Sequence, residues 1–175
     1  KVQASVGYQA SAFRNNVDAL TWANPFTPVV TGATRASLAL APDNQFHQVY
    51  ASGGFELAPK MRVSGDIAVG RSTQDSAFLP VTLNSSLSTA ALPAANLGGK
   101  VDTFDGRLSV SAAPAEGLRI NASAERHERD NRTPALLAWP TVATDIFTSP
   151  VARKNPAYSV KSTRLKASID YRVAK

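Results

Sequence analysis

Apolar and polar residues alternate along six segments of the chain. In the first segment, Val2 and Val6 occupy one parity, whereas Gln3 and Ser5 occupy the other. Successive side chains of a β-strand point to opposite faces, so a period of two predicts strands with one apolar face and one polar face. The predicted strands span about residues 2–13, 46–57, 61–73, 101–112, 118–129 and 159–173.

The connections between these predicted strands fall into two length classes. Residues 58–60 and 113–117 are short and contain Pro59 and Pro114, which are typical turn residues. The other connections are long: about residues 14–45, 74–100 and 130–158. Long structureless loops are unusual in a compact soluble domain, but short turns at one end and long loops at the other are typical of outer-membrane barrels.

The pattern therefore predicts an all-β fold: an antiparallel meander of about six strands that forms a segment of a large transmembrane outer-membrane β-barrel. The whole chain, residues 1–175, is expected to be part of one barrel domain. A soluble β-sandwich is the alternative, although its inward face would normally carry larger side chains. Six strands cannot close a bacterial barrel, which needs at least about eight. With Lys1 in place of a starting Met and no leader, we expect a processed protein or an internal piece of a longer one.

Composition narrows the possible functions. The chain contains no cysteine, which excludes disulfides, cysteine-bound metals and a covalently attached c-type haem within these residues. No stretch approaches the roughly 20 apolar residues that a transmembrane helix requires. The formal net charge is +6, but basic residues are scattered among acidic ones, as in the stretch from Glu125 to Asp130. We therefore expect no nucleic-acid partner.

The chain offers little that resembles an enzyme. Its two histidines, His47 and His127, lie near loop-side strand ends, and no nucleophile motif accompanies them. Either histidine is more simply interpreted as a polar rim or lumen residue than as a haem or metal ligand. We expect neither catalysis nor a cofactor bound by this chain.

Several stretches resemble the MtrB/PioB family of outer-membrane β-barrels. The strongest is LALAPDNQFHQVYASGGFELAPKMRVSGDIAVGRSTQDSAFLP, residues 38–80. The others are FRNNVDALTWANPF at 13–26, GGKVDTFDGRLSVSA at 98–112, LRINASAERHERDNRTP at 118–134 and LKASIDYRV at 165–173. The resemblance covers nearly the whole chain except the loop interiors at 81–96 and 135–155.

The resemblance implies a bacterial outer-membrane location and a structural role. Barrels of this family sheathe a periplasmic multihaem c-type cytochrome in the lumen, often with an extracellular multihaem cytochrome docked on the far side. Electrons cross the outer membrane along the haems, which belong to the cytochromes and not to the barrel. The alternative function is a diffusion porin or transporter barrel, which would have the same strands around an open lumen.

Each face of the predicted strands then has an expected environment. The apolar parity should contact membrane lipid, because charged groups there would be costly. It includes Val63, Ile67, Leu108, Val110, Ile120, Leu165 and Ile169. The charged residues of the opposite parity are the candidates for lumen-facing contact with the cytochrome: Glu56, Arg62, Asp66, Arg107, Arg119, Glu125, Arg164, Lys166 and Arg172.

Overall fold

The computed structural model describes residues 1–26, 31–135, 139–143 and 147–173, and it consists of β-strands and connections. The strands are β1 (Val2–Phe13), β2 (Ala19–Ala23), β3 (Arg35–Ala39), β4 (Asn44–Ala58), β5 (Met61–Gln74), β6 (Gly99–Ala115), β7 (Leu118–Asn131), β8 (Trp139–Ala143), β9 (Phe147–Arg153) and β10 (Val160–Tyr171). Within the described ranges, no helix has the length and apolar character needed to cross a membrane.

Six long strands form one antiparallel sheet in the order β1-β4-β5-β6-β7-β10. This meander confirms the predicted all-β fold class. The four central strands extend up to three residues beyond the ends expected from the sequence. Strands β2 and β3 pair with each other, as do β8 and β9, so two of the long connections contain small hairpins that the sequence did not predict. Their regular pairing covers only about five residues, too few for alternation to be recognised in the sequence.

The strand register places residues of equal parity on the same face of the sheet. Val63 lies opposite both Phe55 and Val110, and Val110 in turn lies opposite Ala122. We call the surface formed by this parity the apolar face. The opposite surface, which carries Ser64 and Ser109 from the neighbouring positions, is called the polar face.

In the part of the chain that the structure describes, neither face of the sheet is covered by a second layer. Among the described residues, no apolar side chain is buried. Large apolar side chains on the inner strands are exposed instead: Val49, Val69 and Leu108 are each 54% exposed. A single sheet with an uncovered apolar face is expected where lipid, and not a protein core, takes up that face.

The two short turns close in the same way. Lys60 and Gly117 both have positive φ, at 65° and 73°. Beside each turn the strand register shifts, between Glu56 and Ala58 in one hairpin and between Ala112 and Ala115 in the other. A left-handed residue next to a bulge is a common hairpin closure. These turns set the register of β4 with β5 and of β6 with β7.

The long connections are tied to one another at the other end of the sheet. Asn84 is only 2% exposed, and its side-chain amide donates to the carbonyl oxygen of Thr31 at 3.1 Å. Its side-chain oxygen accepts from the backbone N–H of Ser86 at 2.9 Å. The backbone N–H of Asp43 also donates to the hydroxyl of Ser76 at 3.1 Å. The connection after β5 is therefore anchored to the connection that precedes β4.

Candidate functional site

The polar face carries a row of alternating charges across four neighbouring strands. Asp66 of β5 lies opposite Arg107 of β6, Arg107 lies opposite Glu125 of β7, and Glu125 lies opposite Arg164 of β10. The order negative, positive, negative, positive places each of the two inner charges, Arg107 and Glu125, between opposite charges on the adjacent strands. We call these four residues the charge row.

Glu125 is the centre of the charge row. Its carboxylate accepts a hydrogen bond from the Arg107 guanidinium at 2.6 Å and lies 3.7 Å from the guanidinium of Arg164. The Glu125 side chain is only 9% exposed, whereas Arg107 and Arg164 are 54% and 63% exposed. The carboxylate therefore lies beneath the two cations and holds them toward the open side of the polar face.

Asp66 does not take part in the ion pairs around Glu125. It lies opposite Arg107, but among the described residues it forms no ion pair. Its side chain is exposed on the polar face. Asp66 therefore leaves a negative charge available to a molecule that faces this surface.

The remaining predicted residues lie on the same face, closer to the short turns. Lys166 lies opposite Ser123, one row from Glu125. Glu56 lies opposite Arg62, and Arg119 lies opposite Asp170. Arg172 follows β10, and its backbone N–H donates to the carbonyl oxygen of Gly117 at 2.8 Å. The nine predicted positions therefore form one extended polar surface, not a compact pocket.

The two histidines occupy different faces. His127 lies on the polar face, where its Nδ1 is 2.7 Å from a carboxylate oxygen of Asp105. His47 lies on the apolar face near the loop end, where its ring stacks on Tyr8 and its Nδ1 is 2.6 Å from the Tyr8 hydroxyl. Within the described part of the chain, no group of three His, Asp or Glu side chains is arranged to hold a metal ion.

The structure also shows a charged cluster that sequence reasoning missed. It occupies the apolar parity at the loop ends of β5, β6, β7 and β10, and we call it the outer collar. Its members are Arg71, Lys100, Asp102, Arg126, Glu128, Asp130, Arg132 and Lys161. The sequence contained a sign of this cluster. Toward one end of each of these strands, charged residues replace apolar ones at the positions of the apolar face.

The outer collar is connected by ion pairs. Arg71 donates to both carboxylate oxygens of Asp102, at 2.6 and 3.1 Å. Arg132, just beyond β7, lies 3.2 Å from Asp102 and 2.9 Å from Asp130. The hydrogen bond to Asp130, followed by the negative charge of Asp102, raises the pKa of Arg132 above its ordinary value. Glu128 pairs with Arg126 at 3.0 Å and with Lys161 at 2.8 Å.

Comparison with known proteins agrees with this architecture. A family model described as "Putative outer membrane beta-barrel porin, MtrB/PioB" matches residues 1–175. The chain is also 30% identical, over 171 residues, to "Outer membrane protein MtrB" of Shewanella baltica (strain OS185). The match covers 98% of this chain and 24% of that relative, so the chain spans about a quarter of the relative's length. The family is one of porin-like barrels and not of enzymes.

These matches confirm the predicted family and the predicted location in the outer membrane. In a barrel of this kind the apolar face contacts lipid and the polar face lines the lumen. This chain, with its uncovered six-stranded meander and its match along the full length, belongs to the MtrB/PioB family of outer-membrane β-barrels.

Proposed function

We propose that this chain forms part of the wall of a barrel that sheathes a multihaem c-type cytochrome and so allows electrons to cross the outer membrane. The observation that carries the proposal is the charge row, in which both signs alternate on an exposed polar surface. The cytochrome partner comes from the family resemblance, and the polar face supplies a surface that suits such a partner.

A folded protein surface presents both signs of charge, so a wall that meets it should carry both as well. The polar face does so: Arg107 and Arg164 project over Glu125, while Asp66 leaves a carboxylate exposed beside them. A pore that selects anions or cations would instead be lined by rings of one sign. The mixed charges therefore favour a lumen occupied by a protein over a lumen that conducts ions of one sign.

The wall would contribute insulation and position, not redox chemistry. We propose that all haem belongs to the partner cytochrome and that this chain binds no cofactor. The apolar face separates the lumen from lipid, while the polar face keeps the cytochrome at a fixed height and orientation. The long connections, tied together through Asn84, form the end at which an extracellular multihaem cytochrome would dock.

A diffusion porin is the second candidate, since the family description contains the word porin. The exposed polar face would then meet water. Many of its side chains are small, such as Ser64, Ser109 and Ser123 in one row, which suits a wide aqueous lumen as well. The two candidates differ in what fills the barrel.

The deciding experiment isolates the full-length barrel from its native membrane and measures haem content and solute permeability. A sheath should be recovered with a haem protein, and vesicles containing that complex should admit almost no small sugars in a swelling assay. Deleting the barrel should abolish electron transfer across the outer membrane and leave the cytochrome soluble in the periplasm. A barrel that is always free of haem and passes sugars readily would overturn the sheath and support the porin.

A further inference from the structure

The outer collar lies at the border of the lipid-facing surface. One row toward the short turns from Arg71 and Asp102, the same parity carries Tyr8, Val69 and Phe104, which pair along the row through Val49. On β7 and β10 this row continues into the collar residues Glu128 and Lys161. Aromatic side chains such as Tyr8 and Phe104 are typical of the level where lipid tails meet headgroups. The collar should therefore lie at headgroup level, on the outward side of the barrel.

This border is also on the extracellular side. The collar occupies the ends of the strands that lead into the long connections, and in outer-membrane barrels the long loops are extracellular. The border steps toward the short turns across the sheet, since Arg126 lies two rows nearer to them than Arg71 does. Such a slope is expected when strands cross the membrane at a tilt.

Within the collar, the cations project beyond the acids. The side chains of Arg71, Arg126, Arg132 and Lys161 are 50% to 61% exposed, whereas those of Asp102, Glu128 and Asp130 are 20% to 34% exposed. The carboxylates thus hold the cationic groups from beneath. Including Lys100, the collar has five cations and three acids, which leaves an excess of two positive charges.

Some N–H donors of the collar's guanidinium groups are not used in its ion pairs. Arg132 donates to Asp130 through Nε, and its two terminal nitrogens form no hydrogen bond among the described residues. A shallow depression of about 420 Å³ lies beside these groups, lined by Tyr8, His47 and Val69 as well as Arg71 and Arg132. Asp102, Glu128 and Asp130 also line it, so it joins an apolar floor to a charged upper edge where the more exposed guanidinium groups stand over these carboxylates.

We infer that the outer collar binds the phosphate-bearing headgroup of a lipid in the extracellular leaflet. Guanidinium groups match phosphate oxygens through paired, charge-assisted hydrogen bonds. The apolar floor, continuous with the lipid-facing surface, accommodates the adjoining acyl chains. A soluble phosphate would use only the guanidinium groups at the charged edge, so the combination of both parts favours a lipid. The binding would fix the height of the barrel at its extracellular border, whichever molecule fills the lumen.

The test uses the full-length barrel reconstituted in phosphatidylcholine vesicles containing either lipid A or lipid A with its phosphates removed. We expect tight retention of the phosphorylated form only. The double substitution Arg71→Gln and Arg132→Gln should weaken retention roughly tenfold or more, since each change removes charge-assisted hydrogen bonds. Lys161→Gln, which breaks a single pair with Glu128, should weaken it by about threefold.

Arg129→Gln is the matched control. It removes the same charge from β7, between Glu128 and Asp130, but its side chain lies on the polar face opposite Thr103. Retention in this variant should equal that of the unchanged barrel. Heat-dependent gel mobility shows whether each variant is folded, and Lys161→Gln keeps the test decisive if the double variant is not.

Three results would overturn the inference. They are equal retention of both forms of lipid A, equal losses in Arg129→Gln and in the collar variants, or competition by inorganic phosphate at concentrations comparable to those of the lipid. The last result would identify a site for soluble phosphate instead.

Discussion

Arg107 and Glu125 form an ion pair of 2.6 Å across β6 and β7, although Arg107 has a second carboxylate, Asp66, directly opposite it on β5. Arg107 therefore pairs with Glu125 on β7 and not with Asp66 on β5. Glu125 is held beneath Arg107 and Arg164, whereas Asp66 remains exposed. The charge row therefore combines a fixed ion pair with an available carboxylate.

The first prediction concerns this pair. Glu125→Gln should destabilise the full-length barrel more than Asp66→Asn, because it leaves two neighbouring cations, Arg107 and Arg164, without their shared acid. Denaturant midpoints of the reconstituted variants measure the difference. The double substitution Arg107→Gln with Glu125→Gln should cost less than the sum of the two single losses, as expected for directly coupled residues. Equal midpoints for both single variants would contradict the preference of Arg107 for Glu125.

The second prediction concerns cytochrome retention, which rests on the proposed function. Single neutralising changes at Asp66 or Lys166 should reduce the cytochrome recovered with the barrel by less than about fivefold, because exposed ion pairs each contribute little. Changing several polar-face charges together should reduce recovery much further. Haem absorbance per purified barrel is the measurement. Complete loss from one such change, in a barrel that remains folded, would instead indicate a localised binding site.

The third prediction concerns the two faces. Val110→Arg should cost about 2–4 kcal/mol of unfolding free energy if the position lies near the bilayer midplane, because Val110 belongs to the apolar parity. Ser109→Arg is the neighbouring control on the polar face and should cost much less. Reversible unfolding of the full-length barrel in lipid vesicles gives both values. Similar costs at the two positions would refute the assignment of lipid and lumen faces.

The fourth prediction concerns the short turns. Gly117→Ala should destabilise by roughly 1–2 kcal/mol, because φ is 73° and the added Cβ would lie 2.7 Å from the backbone oxygen of Arg172. Lys60 has a similar φ of 65° without being glycine. Lys60→Gly should therefore change stability by under about 0.5 kcal/mol, since relief of strain offsets the greater freedom of the unfolded chain. A large loss in Lys60→Gly would contradict this account.

The fifth prediction concerns orientation. Protease added to intact cells should cut the long connections near Trp22, Phe78 or Trp139 if it cuts at all, because long loops of outer-membrane barrels are extracellular. The turns at Pro59 and Pro114 should be cut only after the outer membrane is opened. Mass spectrometry of the fragments locates each site. Cleavage restricted to the short turns in intact cells would reverse the orientation.

The sequence alone determined which segments form the main strands and which residues share a face. This follows because a period of two is a local property: once Val110 is known to face one way, Ser109 must face the other. The family could likewise be recognised from stretches such as residues 38–80. The nine charged candidates needed no more than this parity to be placed on one face.

Only the tertiary structure decided which residues meet across strands. The bulges beside Lys60 and Gly117 set the register, and a register shift of two residues would keep every face while changing every partner. That is why the preference of Arg107 for Glu125 over Asp66, and the joining of Arg71, Asp102 and Arg132 in the outer collar, could not be obtained from spacing. Parity follows from the geometry of one strand, whereas an ion pair depends on the positions of two or more.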